Sequence, residues 1–248
     1  MGWTSPAVLG LAALAVILSS AFIYVELKAK QPMIDLALFK NRMFFAGNAA
    51  GLISFVTMFF ALFLMPFYLD KVLALKPYQI GLMMTPFPLA MFVVAPLSGW
   101  ASDRIGPLYL TTGGLAVVSV ALAALSTLDT DTPLWSVAVR SGLMGVGAGL
   151  FQSPNNSSVM GTVPPPKLGV AGGVVATVRN VGMVMGVALA VTLFNTRYEY
   201  LRRVLPEKMA FVQSLTFVFL TAAVINLLGI AVSAVRGQAA SPVRENKT

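Results

Sequence analysis

Arg179 is a cation inside the apolar run Val170–Phe194. A charge at membrane depth costs at least about 2.5 kcal/mol unless it faces protein or water, so an intramembrane Arg is a candidate functional group. It either makes a contact that forms in one state and breaks in another, or it lies near a helix start and snorkels to the interface. A second group is Gly99-Trp-Ala-Ser-Asp103-Arg104-Ile-Gly106. Gly99 permits close helix approach, and Asp103 beside Arg104 at a helix end can make charge-assisted contacts that switch between states. The plainer reading is a basic turn between two apolar segments.

Amides form a third group. Gln152, Pro154, Asn155 and Asn156 follow one another closely, with Asn180 next to Arg179. Pro154 removes a backbone donor, and the amides can bond the carbonyls it frees. They either cap the end of the fifth apolar run there or line a polar cavity. Gly142, Gly145, Gly147 and Gly149, with Gly182 and Gly186 further on, thin their helices so that neighbours pack backbone to backbone. A thin seam can also let helices slide. Met58, Phe59, Phe63, Met83, Met84, Phe87 and Met91 are of the types that suit an adaptable apolar cavity.

Other chemistry is excluded by composition. The chain has no Cys and no His, which removes thiolate and histidine catalysis and the usual zinc sites, so no metal ligands are assigned. None of the nine Asp and Glu falls inside an apolar run. An acid pair for a membrane-embedded enzyme is therefore missing, and so is a titratable group for proton coupling.

The elements that must position these residues are membrane spans. Of 248 residues, 57% are hydrophobic and 10% charged, against roughly 25% charged in an ordinary soluble domain. The net charge of +8 does not indicate nucleic acid, because the Lys and Arg lie between apolar runs with no aromatic-interleaved stripe. A bilayer needs about 20 apolar residues per helix. Seven runs qualify: Pro6–Val25, Met43–Tyr68, Ile80–Trp100, Leu108–Leu128, Leu134–Phe151, Val170–Phe194 and Phe211–Val235. The first lacks a preceding basic residue and exceeds the roughly 7–15 residues of a signal-peptide core, so it reads as a span. Asp70, Arg140, Glu199 and Glu207 are assigned to helix ends or loops. With the carboxyl terminus in the cytoplasm, nine Lys and Arg fall inside and six outside, the expected direction. The fold class is an all-α membrane protein in the cell membrane. The boundaries expected are a first helix at 1–28, a cytoplasmic linker at 29–42, a six-helix bundle at 43–236 and a cytoplasmic tail at 237–248.

The Gly99–Gly106 segment resembles the cytoplasmic loop motif of the major facilitator superfamily, Gly-x-x-x-Asp-Arg-x-Gly-Arg, matching at Gly99, Asp103, Arg104 and Gly106 and lacking the final basic residue. The stretches Pro32–Phe44, Gly145–Asn156 and Ala176–Gly186 are similar to the fourteen-helix drug:proton antiporter branch. That resemblance covers nearly the whole chain. It implies a carboxyl-terminal six-helix bundle of two three-helix repeats, preceded by one extra helix. It also implies partners: the lipid bilayer, an amino-terminal transporter half absent from this sequence, an amphipathic small-molecule substrate, and protons coupled through acids in that other half. No cofactor is implied. A Met1 that opens almost directly into a span fits a truncated reading frame or an internal start. The different class to weigh is a non-transporting membrane subunit that binds a partner through the Gly-rich fifth helix.

Overall fold

Proline and asparagine set where these helices begin. Pro6, Pro77, Pro86 and Pro107 each open a helix, where the missing N–H costs nothing. Asn41 caps the second long helix, its Oδ1 accepting from Met43 N at 2.9 Å and Phe44 N at 3.3 Å. The computed structural model describes residues 5–28 and 36–235. The start of the expected linker, 29–35, and the expected tail, 237–248, lie outside the described residues.

Eight α-helices follow: α1 Pro6–Lys28, α2 Arg42–Lys71, α3 Pro77–Met84, α4 Pro86–Ile105, α5 Pro107–Leu125, α6 Leu134–Met160, α7 Leu168–Leu201 and α8 Glu207–Val235. Counting α3 and α4 as one segment, seven are long and apolar enough to cross a bilayer. Three sequence expectations need correcting. The third run is not one helix but breaks at Thr85, because Pro86 and Pro88 remove two donors within three residues. Thr85 Oγ1 donates back to the Gly81 carbonyl at 3.0 Å. Pro154 does not end the fifth run: α6 passes through it to Met160, as α2 passes through Pro66 and α4 through Pro96. A single proline in a membrane helix is tolerated where neighbours satisfy the freed groups. Arg140 is not solvated at a helix end. It lies half-buried within α6, and its guanidinium donates at 2.9 Å to the Ala124 carbonyl at the end of α5.

The bundle is interleaved. Treat α2–α5 as one set of three spans and α6–α8 as another. The first span of each set packs along the second of the other, α2 on α7 and α6 on α4. Each first span also packs on the other set's third, α2 on α8 and α6 on α5, and the two third spans pack on each other. The pattern is unchanged when the two sets are exchanged. This contact pattern is the one expected of the two three-helix repeats that the family resemblance implies.

Glycines bring the interleaved helices together. A Cβ on Gly147 of α6 would lie 2.7 Å from Val118 N of α5, and one on Gly114 would lie 2.6 Å from Phe151 N. Gly145 and Gly149 sit against the α4 backbone at Phe87 and Met91, while Gly182 and Gly186 of α7 sit against Leu52 and Val56 of α2. Gly142 is the exception: its nearest neighbour, Pro86, is at an ordinary 3.9 Å, so it is not part of the tight seam.

Polar side chains join the same helices. Asn226 of α8 is fully buried and donates to the Leu115 carbonyl at 2.8 Å and to Ser119 Oγ at 2.9 Å, both on α5. Its own oxygen accepts from Thr57 of α2 at 3.2 Å. Nearly two turns further on, Ser233 donates to Thr111 and bonds Thr112. Tyr68, fully buried at the far end of α2, donates to the Asp129 carbonyl at 2.7 Å.

Two outcomes test this packing. Gly145→Ala is expected to destabilise the purified chain by about 1–3 kcal/mol, as overpacking does, whereas Gly142→Ala leaves it unchanged, read as detergent-resistant monodisperse protein after a heating series. Asn226→Ala is expected to cost about 1–2 kcal/mol in a reversible denaturation measurement, since up to three intramembrane hydrogen bonds are lost at once.

Candidate functional site

The helix register sets every candidate residue at a definite height. Gly182 of α7 faces Leu52 and Phe55 of α2, and the next contact, Gly186 with Val56 and Phe59, shows the two running parallel. Arg179, nearly one turn before Gly182, is therefore about two turns in from the start of α2. Asn155 Nδ2 of α6 donates to the Gly47 carbonyl of α2 at 3.3 Å, and Ser153 meets Gly99 of α4. Arg179 and Gly99 thus stand at nearly the same level, and Asp103 and Arg104 lie one turn closer to the end.

The structure brings these charges to one end of the bundle but not into contact. α4 lies along α6, α7 lies along α2, and α2 and α6 separate them. Arg179 and Asn180 are exposed, and among the described residues Arg179 has no ion-pair or ring partner. α7 has 34 residues, about 51 Å at 1.5 Å each, far more than a hydrocarbon core of about 30 Å. The stretch 180–196 carries no charge and spans about 26 Å by itself. The preceding stretch 168–178 carries no charge either, so Arg179 divides one long apolar helix into two uncharged segments.

The loop segment has a defined shape. Gly106 takes φ +85° and links α4 directly to α5, with Pro107 opening the next helix. A residue with a Cβ is strained at that φ, which accounts for a glycine there. Gly99 lies so close to α6 that a Cβ would be 2.9 Å from Ser153 Oγ. Arg104 does not pair with Asp103. Its guanidinium lies 3.8 Å from the centroid of Trp100, one turn back on α4. Asp103 is exposed, with no ion pair among the described residues. An acid and a base at one helix end are thus each presented outward, the base on an aromatic platform.

The amides divide. Asn155 is buried and ties α6 to α2. Asn156 is exposed, and Gln152 is half-buried with its Nε2 3.9 Å from the Met58 sulfur. Of the residues expected to form an apolar cavity, Met58 and Phe87 are instead buried in the core, while Phe59, Phe63, Met83, Met84 and Met91 are half-buried against it. The slot between Leu62, Met65, Met84, Phe87 and Met144 admits no more than a water molecule. No acid sits in the middle of a described helix: Glu26, Asp70, Asp103, Glu199 and Glu207 all occupy terminal turns.

Sequence reasoning missed Asn226, Thr57 and Ser119. Each stands alone in an apolar run with no local motif, and only the α2–α5–α8 contact joins them. A lone amide in the last run was the one available signal.

The helix order and these motifs agree with comparison to known proteins. Residues 2–187 match the model for the Major Facilitator Superfamily. The riboflavin transporter RibZ of Clostridioides difficile (strain 630) is 36% identical over 204 residues, covering 82% of this chain and 44% of that protein. The multidrug transporter protein MdtP of Bacillus subtilis (strain 168) is 30% identical over 195 residues, covering 79% of this chain and 36% of that protein. A solved structure of a bacterial homologue of the human drug peptide transporters PepT1 and PepT2 superimposes with a TM-score of 0.67 at 17% identity, covering 82% of this chain and 44% of that one. The chain spans less than half the length of these relatives. By the family match over three-quarters of its length and by its relatives' identity, this multi-pass membrane chain belongs to the major facilitator superfamily.

Proposed function

We propose that this chain forms the carboxyl-terminal bundle of a proton-coupled exporter of amphipathic small molecules in the cell membrane, completed by a second bundle. The observation that supports this most is the uneven burial of the spans. Within its most apolar stretch the α3–α4 span is 6% buried and α7 is 22% buried, against 61% for α2. Leu89, Phe92, Val93 and Leu97 of α4 and Val181, Val184 and Met185 of α7 are exposed. These two spans flank α6 and α2, so together the four make one open front, with α5 and α8 behind. A second bundle seated on that front covers α4 and α7 and encloses a chamber between the halves.

The role is transport rather than catalysis. Substrate is held by the half-buried Met and Phe side chains of the front, with Gln152 and Asn156 as hydrogen-bonding groups. Asp103 and Arg104, set by the Gly106 turn, face the second bundle at the cytoplasmic end, and Arg179 engages a carbonyl or carboxylate of that bundle in one state only. The coupling acid is contributed by the second bundle, since acids in the described helices of this one lie in terminal turns. The carboxyl terminus lies in the cytoplasm, as do residues 29–42 and 237–248.

Expressed without a second bundle in an efflux-deficient bacterium, the 248-residue chain is expected to reach the membrane and leave growth inhibition by lipophilic cations unchanged. A clear rise in resistance would refute the two-bundle account, and a partner subunit role would instead show as co-purification with an unrelated membrane protein. In the complete transporter, Arg179→Ala is expected to lower initial efflux rate about tenfold, roughly 1.4 kcal/mol in the transport barrier, at unchanged abundance in the membrane. Parallel losses of rate and abundance would mean that Arg179 serves folding.

A further inference from the structure

The opposite end of the bundle holds a cation that the bundle itself does not use. Arg197 lies near the end of α7 and is exposed. Its guanidinium stands 5.8 Å from the ring centroid of Tyr200 and 5.6 Å from that of Phe217 on α8, so it lies across the α7–α8 surface. Side chains on a helix lean toward its amino terminus, which brings the Phe217 ring up toward the level of Arg197.

The acids nearby are engaged elsewhere. Glu199 holds Arg202 at 3.0 Å, and Glu207 accepts the Tyr198 hydroxyl at 3.4 Å. Arg203 and Lys208 are the remaining charges of segment 195–210, and both are exposed cations. Among the described residues Arg197 therefore has no carboxylate or carbonyl partner, and its hydrogen-bond donors stay available. An apolar stripe begins directly beneath it. Phe217, Leu220, Val224 and Leu228 of α8 are 41%, 50%, 57% and 61% exposed and follow one face toward the other end of the bundle. Thr221 on that face has its hydroxyl satisfied within the helix, donating to the Phe217 carbonyl at 2.8 Å.

A cation with free donors, two aromatic rings beside it and a continuous apolar stripe below match a ligand that joins a phosphate to a hydrocarbon chain. We propose that this surface is a binding site for an anionic phospholipid. Arg197 gives charge-assisted hydrogen bonds to the headgroup phosphate, Tyr200 and Phe217 hold the guanidinium at the interface, and an acyl chain lies along Phe217 to Leu228. A soluble phosphate would leave the stripe uncovered, and an acidic protein segment would have to bring its own apolar helix.

The test uses the full chain in phosphatidylcholine vesicles carrying a trace of spin-labelled lipid, with the motionally restricted fraction compared for phosphatidylglycerol and phosphatidylcholine labels. The wild-type chain is expected to prefer phosphatidylglycerol by about fivefold. Arg197→Gln is expected to bring the ratio close to one. Arg203→Gln, which removes the same charge from the same end of the bundle but touches neither ring, is expected to keep it. No preference in the wild-type chain overturns the proposal outright, whether or not any variant folds. Equal losses in the two variants overturn it in favour of unspecific charge attraction. Displacement of the labelled lipid by millimolar inorganic phosphate overturns it in favour of a soluble anion.

Discussion

Hydrocarbon gives a helix no reason to leave it, because lipid tails are as apolar as leucine. The bundle is therefore held by contacts that lipid cannot imitate: backbone pressed on backbone and hydrogen bonds between polar groups. Gly145, Gly147 and Gly149 supply the first for α4, α5 and α6, and Gly182 and Gly186 supply it for α2 and α7. Asn226 supplies the second, joining α2, α5 and α8 at a point no water reaches. The glycine seams and the amide fall at different helix pairs, so each long helix of the bundle has at least one contact of a kind that lipid does not offer.

What was legible in the sequence follows from that solvent. Span existence could be read from the apolar length alone, and all seven expected spans correspond to helices. Their ends were less legible, because helices continue past the hydrocarbon where charge no longer costs anything. The sixth run, expected to stop at Phe194, continues as α7 to Leu201 for this reason. Proline misled in both directions. Pro154 stands inside α6, whereas Pro86 with Pro88 breaks the third run, and the spacing of two prolines rather than the presence of one makes the difference.

The candidate site was legible in part. Gly99, Asp103, Arg104 and Gly106 could be found as a motif, and the Gly106 backbone and the Gly99 contact give two of those identities a physical reason. That Arg104 stacks on Trp100 instead of pairing with Asp103 depends on helix pitch, since residues four apart share a face and adjacent ones do not. The height of Arg179 relative to the other helices needed the α2–α7 register, which contact between residues more than a hundred apart establishes. The same holds for Arg140, whose partner on α5 precedes it by a whole connection.

The interleaving of the two sets of spans bears on how such a chain is made. As α2, the α3–α4 span and α5 leave the ribosome, the long partners of α2 and α4 do not yet exist, because α7 and α6 are encoded later. Glycine faces and half-satisfied polar groups must wait in lipid, or beside an insertion factor, until the second set arrives. Assembly is thus dominated by contacts distant in sequence, the class of folding that is slow and exposes unpaired surface the longest. A stop or a pause in translation between α5 and α6 would leave α2, the α3–α4 span and α5 without the second set, against which they make most of their contacts.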